Sequence, residues 1–470
     1  KFIDLTHERY KKECGEDFGK YMLGFFTDEP QYYRWSTPYS PVLIPYFKEK
    51  YGVDLWSELG KLFVDCDGAY AFRYRYWSAM HEFFINSFVK QIYDWCNENG
   101  CRLTGHAVEE SCLCTQMWCC AGVMDFYEYE HIPGIDWLGR YIGTELEPKQ
   151  VGSVAEQLGK KHVLTETFAC CGWDVTPQEL KRIAEWQYVN GVNLMCQHLA
   201  AYSIRGQRKR DYPNTYSEHM AWFDKFREFN DYFASLGYIL SESRNRVNVL
   251  VLHPIKSAYL TYDRDVDYLS IKDVEDSFIR TVEKFGSENI PHHYGDENII
   301  KRHGKVENGK FIVGDYAYDY VYIPEMKSMD KSTLDLLVKF TAQGGKLAVE
   351  NGFPQYLEGE KYAFDELKPN CGFADIEKSV EYKIDTNGGN IRSAYRDGEF
   401  GRFLYVVNIG EKDAEIEVKL NSKYPYGYDL EKLEKYPLVL KNGKVCLKLE
   451  EGGSAIIFES DEPYAPAKFY

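Results

Sequence analysis

A short apolar run, Met22-Leu23-Gly24-Phe25-Phe26, stops at Thr27, the two carboxylates Asp28 and Glu29, and Pro30. The run shows no polar alternation, which predicts a strand buried on both faces. Proline cannot donate to a strand ladder, so the strand must end by Glu29. Asp28 and Glu29 are thereby placed at the carboxyl end of a buried strand. Parallel α/β folds do their chemistry at that end. A polar turn after a strand would by itself be ordinary, since Asp and Pro are common turn residues.

Residues 162–168, His-Val-Leu-Thr-Glu-Thr-Phe, repeat the device, with a short strand running into Glu166. Trp173 follows, and Thr176-Pro177-Gln178-Glu179 reads as a helix start. Thr176 is the N-cap, Pro177 the first helical residue, and Glu179 completes a capping box. Two strand-end glutamates separated by further strand-helix units are what acid-base hydrolysis of a glycoside requires.

The same alternation runs through the first 200 residues. Residues 1–20 read as the end of a helix, and 41–99 carry apolar residues at three- and four-residue spacing, closed by Gly100. Strands are expected at 101–106, 123–132, 162–168 and 191–197, with helices near 148–158 and 177–190. The strand ends are then Glu29, His106, Tyr127, Glu166 and Gln197. This is the pattern of a (β/α) barrel. Eight strands would need three more before residue 21, and a strand-helix unit takes about 30 residues. The expectation is a barrel present here only from its fourth to its eighth strand, over 1–244.

A second region, 245–371, alternates again, with strands at 247–252, 320–323 and 346–350 and helices at 274–285 and 332–343. It reads as a flavodoxin-like α/β domain. No Gly-x-Gly-x-x-Gly follows its first strand, so a nucleotide-binding or flavin-dependent role is disfavoured. Residues 372–470 change to short strands with turn signals, such as Lys441-Asn442-Gly443, the pattern of an antiparallel β-sandwich.

Composition narrows the partners. The net charge of −17 disfavours nucleic acid and anionic membrane surfaces. No apolar run approaches the ~18 residues of a membrane span. The 13 cysteines are an odd number, several in adjacent pairs such as Cys119-Cys120, which is not a spaced disulfide framework. Cys112, Cys114, Cys119 and Cys120 lack the paired knuckles of a structural zinc site. Buried thiols in a reducing cytoplasm are the expectation. Residue 1 is not Met, so a signal peptide is not legible. A homo-oligomer is compatible with the sequence.

The local sequences resemble glycoside hydrolase family 106, the α-L-rhamnosidases of clan A. The matching stretches are Gly24-Phe25-Phe26-Thr27-Asp28-Glu29-Pro30, Leu164-Thr165-Glu166-Thr167-Phe168 with Gly172-Trp173-Asp174, and Gly191-Val192-Asn193-Leu194. The last continues through His198, Tyr202 and Arg205-Gly206 to Arg208-Lys209-Arg210-Asp211-Tyr212-Pro213. The resemblance covers roughly residues 1–360. It implies an acid at the end of barrel strand four and a second carboxylate at the end of strand seven. With three strands absent, Glu29 and Glu166 fall on those strands. It further implies inversion of the anomeric centre. Most of the clan has Asn before the acid, where this chain has Asp28.

Glu29 is accordingly the expected general acid, raised in pKa by burial beside Phe25 and Phe26 and by the charge of Asp28. Glu166 is the expected general base. Asp28, His106, Tyr127, Glu128, Glu130, Trp173, His198, Tyr202 and Arg205 are the expected sugar contacts, although for each a packed or rim residue is the plain alternative. No cofactor is expected; Asp28, Glu128 and Glu130 are the carboxylates from which a calcium site for a sugar diol would be built. The alternatives are a retaining β-galactosidase-like relative and a catalytically inactive carbohydrate-binding protein.

Overall fold

The computed structural model describes residues 1–32, 37–263 and 269–463. Residues 264–268 within the second expected domain and 464–470 at the end of the third lie outside the described residues. The chain divides into two compact units. One is Lys1–Ile135 with Val251–Ile279 and Tyr294–Asn370; the other is Asp136–Leu250 with Arg280–His293 and Cys371–Tyr470.

In the first unit, β1 (Gly24–Thr27) pairs in parallel with β2 (Arg102–Gly105), Gly24 opposite Arg102 and Thr27 opposite Gly105. Parallel strands need a long crossover, and here it is helical, including Leu43–Tyr51, Ala69–Phe84 and Lys90–Glu98. The two backbones approach closely. A Cβ at Gly105, where φ is 150°, would lie 2.1 Å from the Thr27 carbonyl oxygen.

β1 is not buried on both faces. Phe25 packs into a ring cluster with His7 (4.1 Å between centroids) and Trp95 (5.9 Å). Phe26, on the opposite side, is 43% exposed. Side chains alternate along a strand, and the Phe25 side is the one that meets the helices His7–Cys14 and Lys90–Glu98.

The expected strand over 123–132 is also corrected. Met124–Glu128 is a helix, and β3 is Gly134–Trp137. Before it, Thr104 bridges Ile132 in parallel, with the His131 and Ile132 amides donating to the Leu103 carbonyl. The run Val123-Met-Asp-Phe-Tyr fits either period, and packing decides it: Met124, Phe126 and Tyr127 are all buried, with Phe126 stacked on Phe84.

In the second unit, β4 (Leu164–Thr167) pairs in parallel with β5 (Leu194–Gln197), and β3 flanks β4. Helix Pro177–Val189 joins β4 to β5 and carries the expected capping box. The Thr176 amide donates to Glu179 Oε2 at 2.9 Å, and the Glu179 amide donates to Thr176 Oγ1 at 3.3 Å.

A further four-stranded sheet is formed by Val249–Leu252, His292–Gly295, Tyr320–Ile323 and Lys346–Val349. Numbered along the chain, its spatial order is 2-1-3-4, and the last two strands are parallel. His292–Gly295 was not foreseen, because His-His-Tyr-Gly carries no strand pattern, yet all four residues are buried.

The C-terminal region is β-rich. A four-stranded and a six-stranded antiparallel sheet share one apolar core. Leu404, Val406 and Ile457 come from the larger sheet, and Ile416, Val418 and Val445 from the smaller. One edge strand of the larger sheet is Ser243–Asn245, paired with Arg396–Gly398 far along the chain. Among the described residues, no helix is long and apolar enough to cross a membrane.

The β1–β2 contact is testable. Gly105→Ala must push Thr27 away and is expected to cost about 1–3 kcal/mol. Thermal unfolding should show a clear fall in Tm, whereas Gly60→Ala, which meets no atom within 4 Å, should shift it little.

Candidate active site

Asp28 and Glu29 leave β1 directly. Glu29 has a left-handed backbone, with φ at 46°. Both side chains are exposed, which corrects the expected burial of Glu29 beside the phenylalanines. His106 leaves β2 at the neighbouring position. Its amide donates to the Thr27 carbonyl at 3.3 Å, and its buried ring lies edge-on to Phe26. His106 Nε2 stands 3.7 Å from Asp28 Oδ1. Because Thr27 faces Gly105 in the ladder, the next residues of both strands emerge together.

Tyr127, Glu128 and Glu130 are not at a strand end, since the segment bearing them is helical and precedes β3. The Tyr127 hydroxyl donates to Glu110 Oε1 at 2.8 Å. Glu128 is held by Arg302 Nε at 3.0 Å and lies 2.9 Å from His303 Nε2. Glu130 is fully buried. Glu128 is therefore paired with the Arg302 guanidinium, which it shares with Asp125. Among the described residues, no group of three or more His, Cys, Asp or Glu side chains could hold a metal ion.

The cysteine cluster is explained locally. The Cys112 sulfur caps helix Leu113–Cys119 by accepting the Thr115 amide, and Cys120 Sγ donates to the Gly122 carbonyl. Burial pushes the Cys114 and Cys120 thiols well above their ordinary range, which disfavours the thiolate that a metal needs.

In the second unit, Glu166 lies on β4 opposite Cys196 of β5. Side chains two apart on a strand share a face, so His198 emerges beside Cys196 on the Glu166 side. His198 Nε2 is 4.0 Å from Glu166 Oε1, the two side chains being 14% and 19% exposed. The His198 amide donates to the Thr167 carbonyl at 2.9 Å. Beneath the strand, Gln187 Nε2 donates to Thr167 Oγ1 at 3.0 Å, and Thr165 Oγ1 donates to Gln187 Oε1.

Trp173, His198 and Tyr202 line one cavity of about 270 Å³. The Trp173 indole is fixed by donating to the Lys209 carbonyl at 2.8 Å. Its loop is braced by Arg140, which forks onto Glu179 and reaches Asp174 at 3.0 Å. Tyr202 is fully exposed on the rim. Arg205 is exposed and does not line this cavity.

Sequence reasoning missed Tyr212, whose ring lies 5.5 Å from that of His198, and the cavity residues Arg208 and Asp211. These sit in a charge run whose default reading is a solvated face. The signal that could have found them is Tyr212-Pro213, a turn that returns the chain toward β5.

A family description, alpha-L-rhamnosidase of glycoside hydrolase family 106, matches residues 1–355. The chain belongs to this family. No curated protein matches it. Among solved structures, a rhamnosidase from Novosphingobium sp. PP1Y has a TM-score of 0.76 at 17% identity, covering 100% of this chain and 48% of that one. The family-106 chain thus spans about half the length of that rhamnosidase. A family 42 beta-galactosidase from G. stearothermophilus has a TM-score of 0.66 at 11% identity, covering 97% and 81%. A family 42 exo-carrageenase from Bacteroides ovatus has a TM-score of 0.61 at 12% identity, covering 93% and 66%. At these identities the likeness is one of fold, that of the clan A glycosidases.

Thiol burial gives a direct check on this packing. With a chromogenic disulfide reagent at pH 8, the exposed Cys66 is expected to react within the mixing phase. Cys96, Cys114 and Cys120 should react only on unfolding, when all 13 thiols titrate. Mass mapping of the labelled peptides would reveal any early reaction at the buried three.

Proposed function

We propose that the chain carries the acid/base machinery of a glycoside hydrolase that removes a terminal α-L-rhamnoside-like sugar with inversion. The observation that carries the reading is the family-106 match spanning both strand-end glutamates, Glu29 and Glu166. Glu29 protonates the leaving oxygen, and Glu166 activates the attacking water, with His198 beside it to orient the carboxylate. Asp28, His106, Trp173, Tyr202 and Arg205 are the sugar contacts in this reading.

The fold that fits this chemistry is a (β/α) barrel from its fourth to its eighth strand over 1–244. A flavodoxin-like domain over 245–371 and a β-sandwich over 372–470 complete the reading. The strand order 2-1-3-4 supports the second of these, and the two antiparallel sheets over one core support the third.

An inverting pair must leave room for water, so the two carboxyl groups should stand about 6.5–9.5 Å apart in the working enzyme. In the full-length protein, Glu29→Gln and Glu166→Gln should each lower kcat on a natural rhamnoside by about 10²–10⁴-fold. Glu29→Gln should spare aryl rhamnosides with good leaving groups, because they need no protonation. Proton NMR of the first-formed sugar should show the inverted anomer. Near-normal activity of either variant on the natural rhamnoside, or net retention, would overturn the assignment.

A further inference from the structure

The first unit contains a second cleft, of about 920 Å³, and none of Asp28, Glu29 and His106 lines it. Its size lies within the ~300–1,000 Å³ range of small-molecule sites. One wall is helix Ala69–Phe84. The others come from segments that follow strands: Lys256 after Val249–Leu252, Asn298 after His292–Gly295, and Asp330 after Tyr320–Ile323. In open α/β sheets, ligands bind outside the carboxyl ends of the strands.

The floor is a buried charge network. Lys256, 6% exposed, pairs with Asp330, 5% exposed, and donates to Asn298 Oδ1 at 2.8 Å. The Tyr74 hydroxyl donates to the other Asp330 oxygen at 2.5 Å. A buried ion pair often stabilises no more than apolar packing of the same volume. Its place at the bottom of an open cleft therefore points to binding. At the rim stand the exposed Lys301 and Tyr362 and the pair Arg75–Glu360.

The lining as a whole carries six Lys or Arg and five Asp or Glu. Such a balance does not favour a phosphate, which calls for net positive charge or a glycine-rich backbone cradle. It does suit a molecule whose every hydroxyl both donates and accepts, set among neighbouring cations and carboxylates. Of the lining tyrosines, Tyr51, Tyr129 and Tyr362 are not buried and offer ring faces to the C–H side of such a molecule.

We propose that this cleft is a second carbohydrate-binding site, taking a neutral sugar rather than a nucleotide or a sugar phosphate. It does not depend on the chemistry at Glu29 and Glu166. The test is hydrogen exchange by mass spectrometry on the full-length protein carrying Glu166→Gln, with L-rhamnose and cellobiose as probes and ADP and inorganic phosphate as contrasts.

A neutral sugar should protect amides of 69–86 and 297–303 in a saturable way. Tyr362→Ala and Lys301→Ala, both at exposed positions, should each weaken that protection by about tenfold in apparent Kd. Protection around β1, β4 or β5 should stay unchanged in these variants, which shows that they fold. Protection by ADP or phosphate but not by the sugars would overturn the proposal. So would protection confined to the strand ends, or protection at 69–86 that both variants leave intact.

Discussion

Parallel strands cannot be joined by a tight turn, and the candidate chemistry depends on that constraint. Each strand must be followed by a crossover, so its carboxyl end opens into a loop rather than a hairpin. The same backbone device then appears twice. After β1 and β2, the His106 amide donates to the Thr27 carbonyl, and His106 lies beside Asp28. After β4 and β5, the His198 amide donates to the Thr167 carbonyl, and His198 lies beside Glu166. In both cases ladder register sets a histidine from one strand next to a carboxylate from its neighbour.

Three strand exits also carry left-handed backbone. Glu29, Phe168 and Leu199 follow β1, β4 and β5 with φ of 46°, 76° and 50°, and none is glycine. Each such residue costs on the order of 1–3 kcal/mol and persists only where its surroundings over-determine it. Glycine would adopt these angles without cost but would leave no side chain. At residue 29 the side chain is the carboxylate assigned to proton transfer, which gives the strain a use.

The scaffold under β4 is tied down by a buried carboxylate outside the site. Glu185 on helix Pro177–Val189 accepts from Tyr232 at 2.5 Å, Ser454 at 2.7 Å and Lys181 at 2.6 Å, and also from Tyr405. Tyr405 and Ser454 belong to the C-terminal sheet, so the helix that follows the Glu166 strand is fastened to strands more than 200 residues away. A carboxylate with this many donors is satisfied in place, whereas removing any one donor would leave a costly buried group.

The strands at Glu29, His106, Glu166 and Gln197, the capped helix at Thr176, and the change to β-structure late in the chain were all legible in the sequence. They rest on local rules: apolar runs, proline and glycine punctuation, and side-chain caps. The strand at 123–132 was misread because the short run Val123–Tyr127 fits both periods, and packing, with Phe126 stacked on Phe84, settles it as helix. His292–Gly295 was invisible because burial in the sheet, not its residue types, makes it a strand. The sequence by itself placed Asp28, Glu29 and Glu166 at the ends of strands. Tertiary structure alone decided that Glu29 is exposed, that Glu128 is held by Arg302 and His303, and that Tyr212 lies against His198. Those outcomes depend on which distant residues arrive beside each side chain, and local pattern carries no record of that.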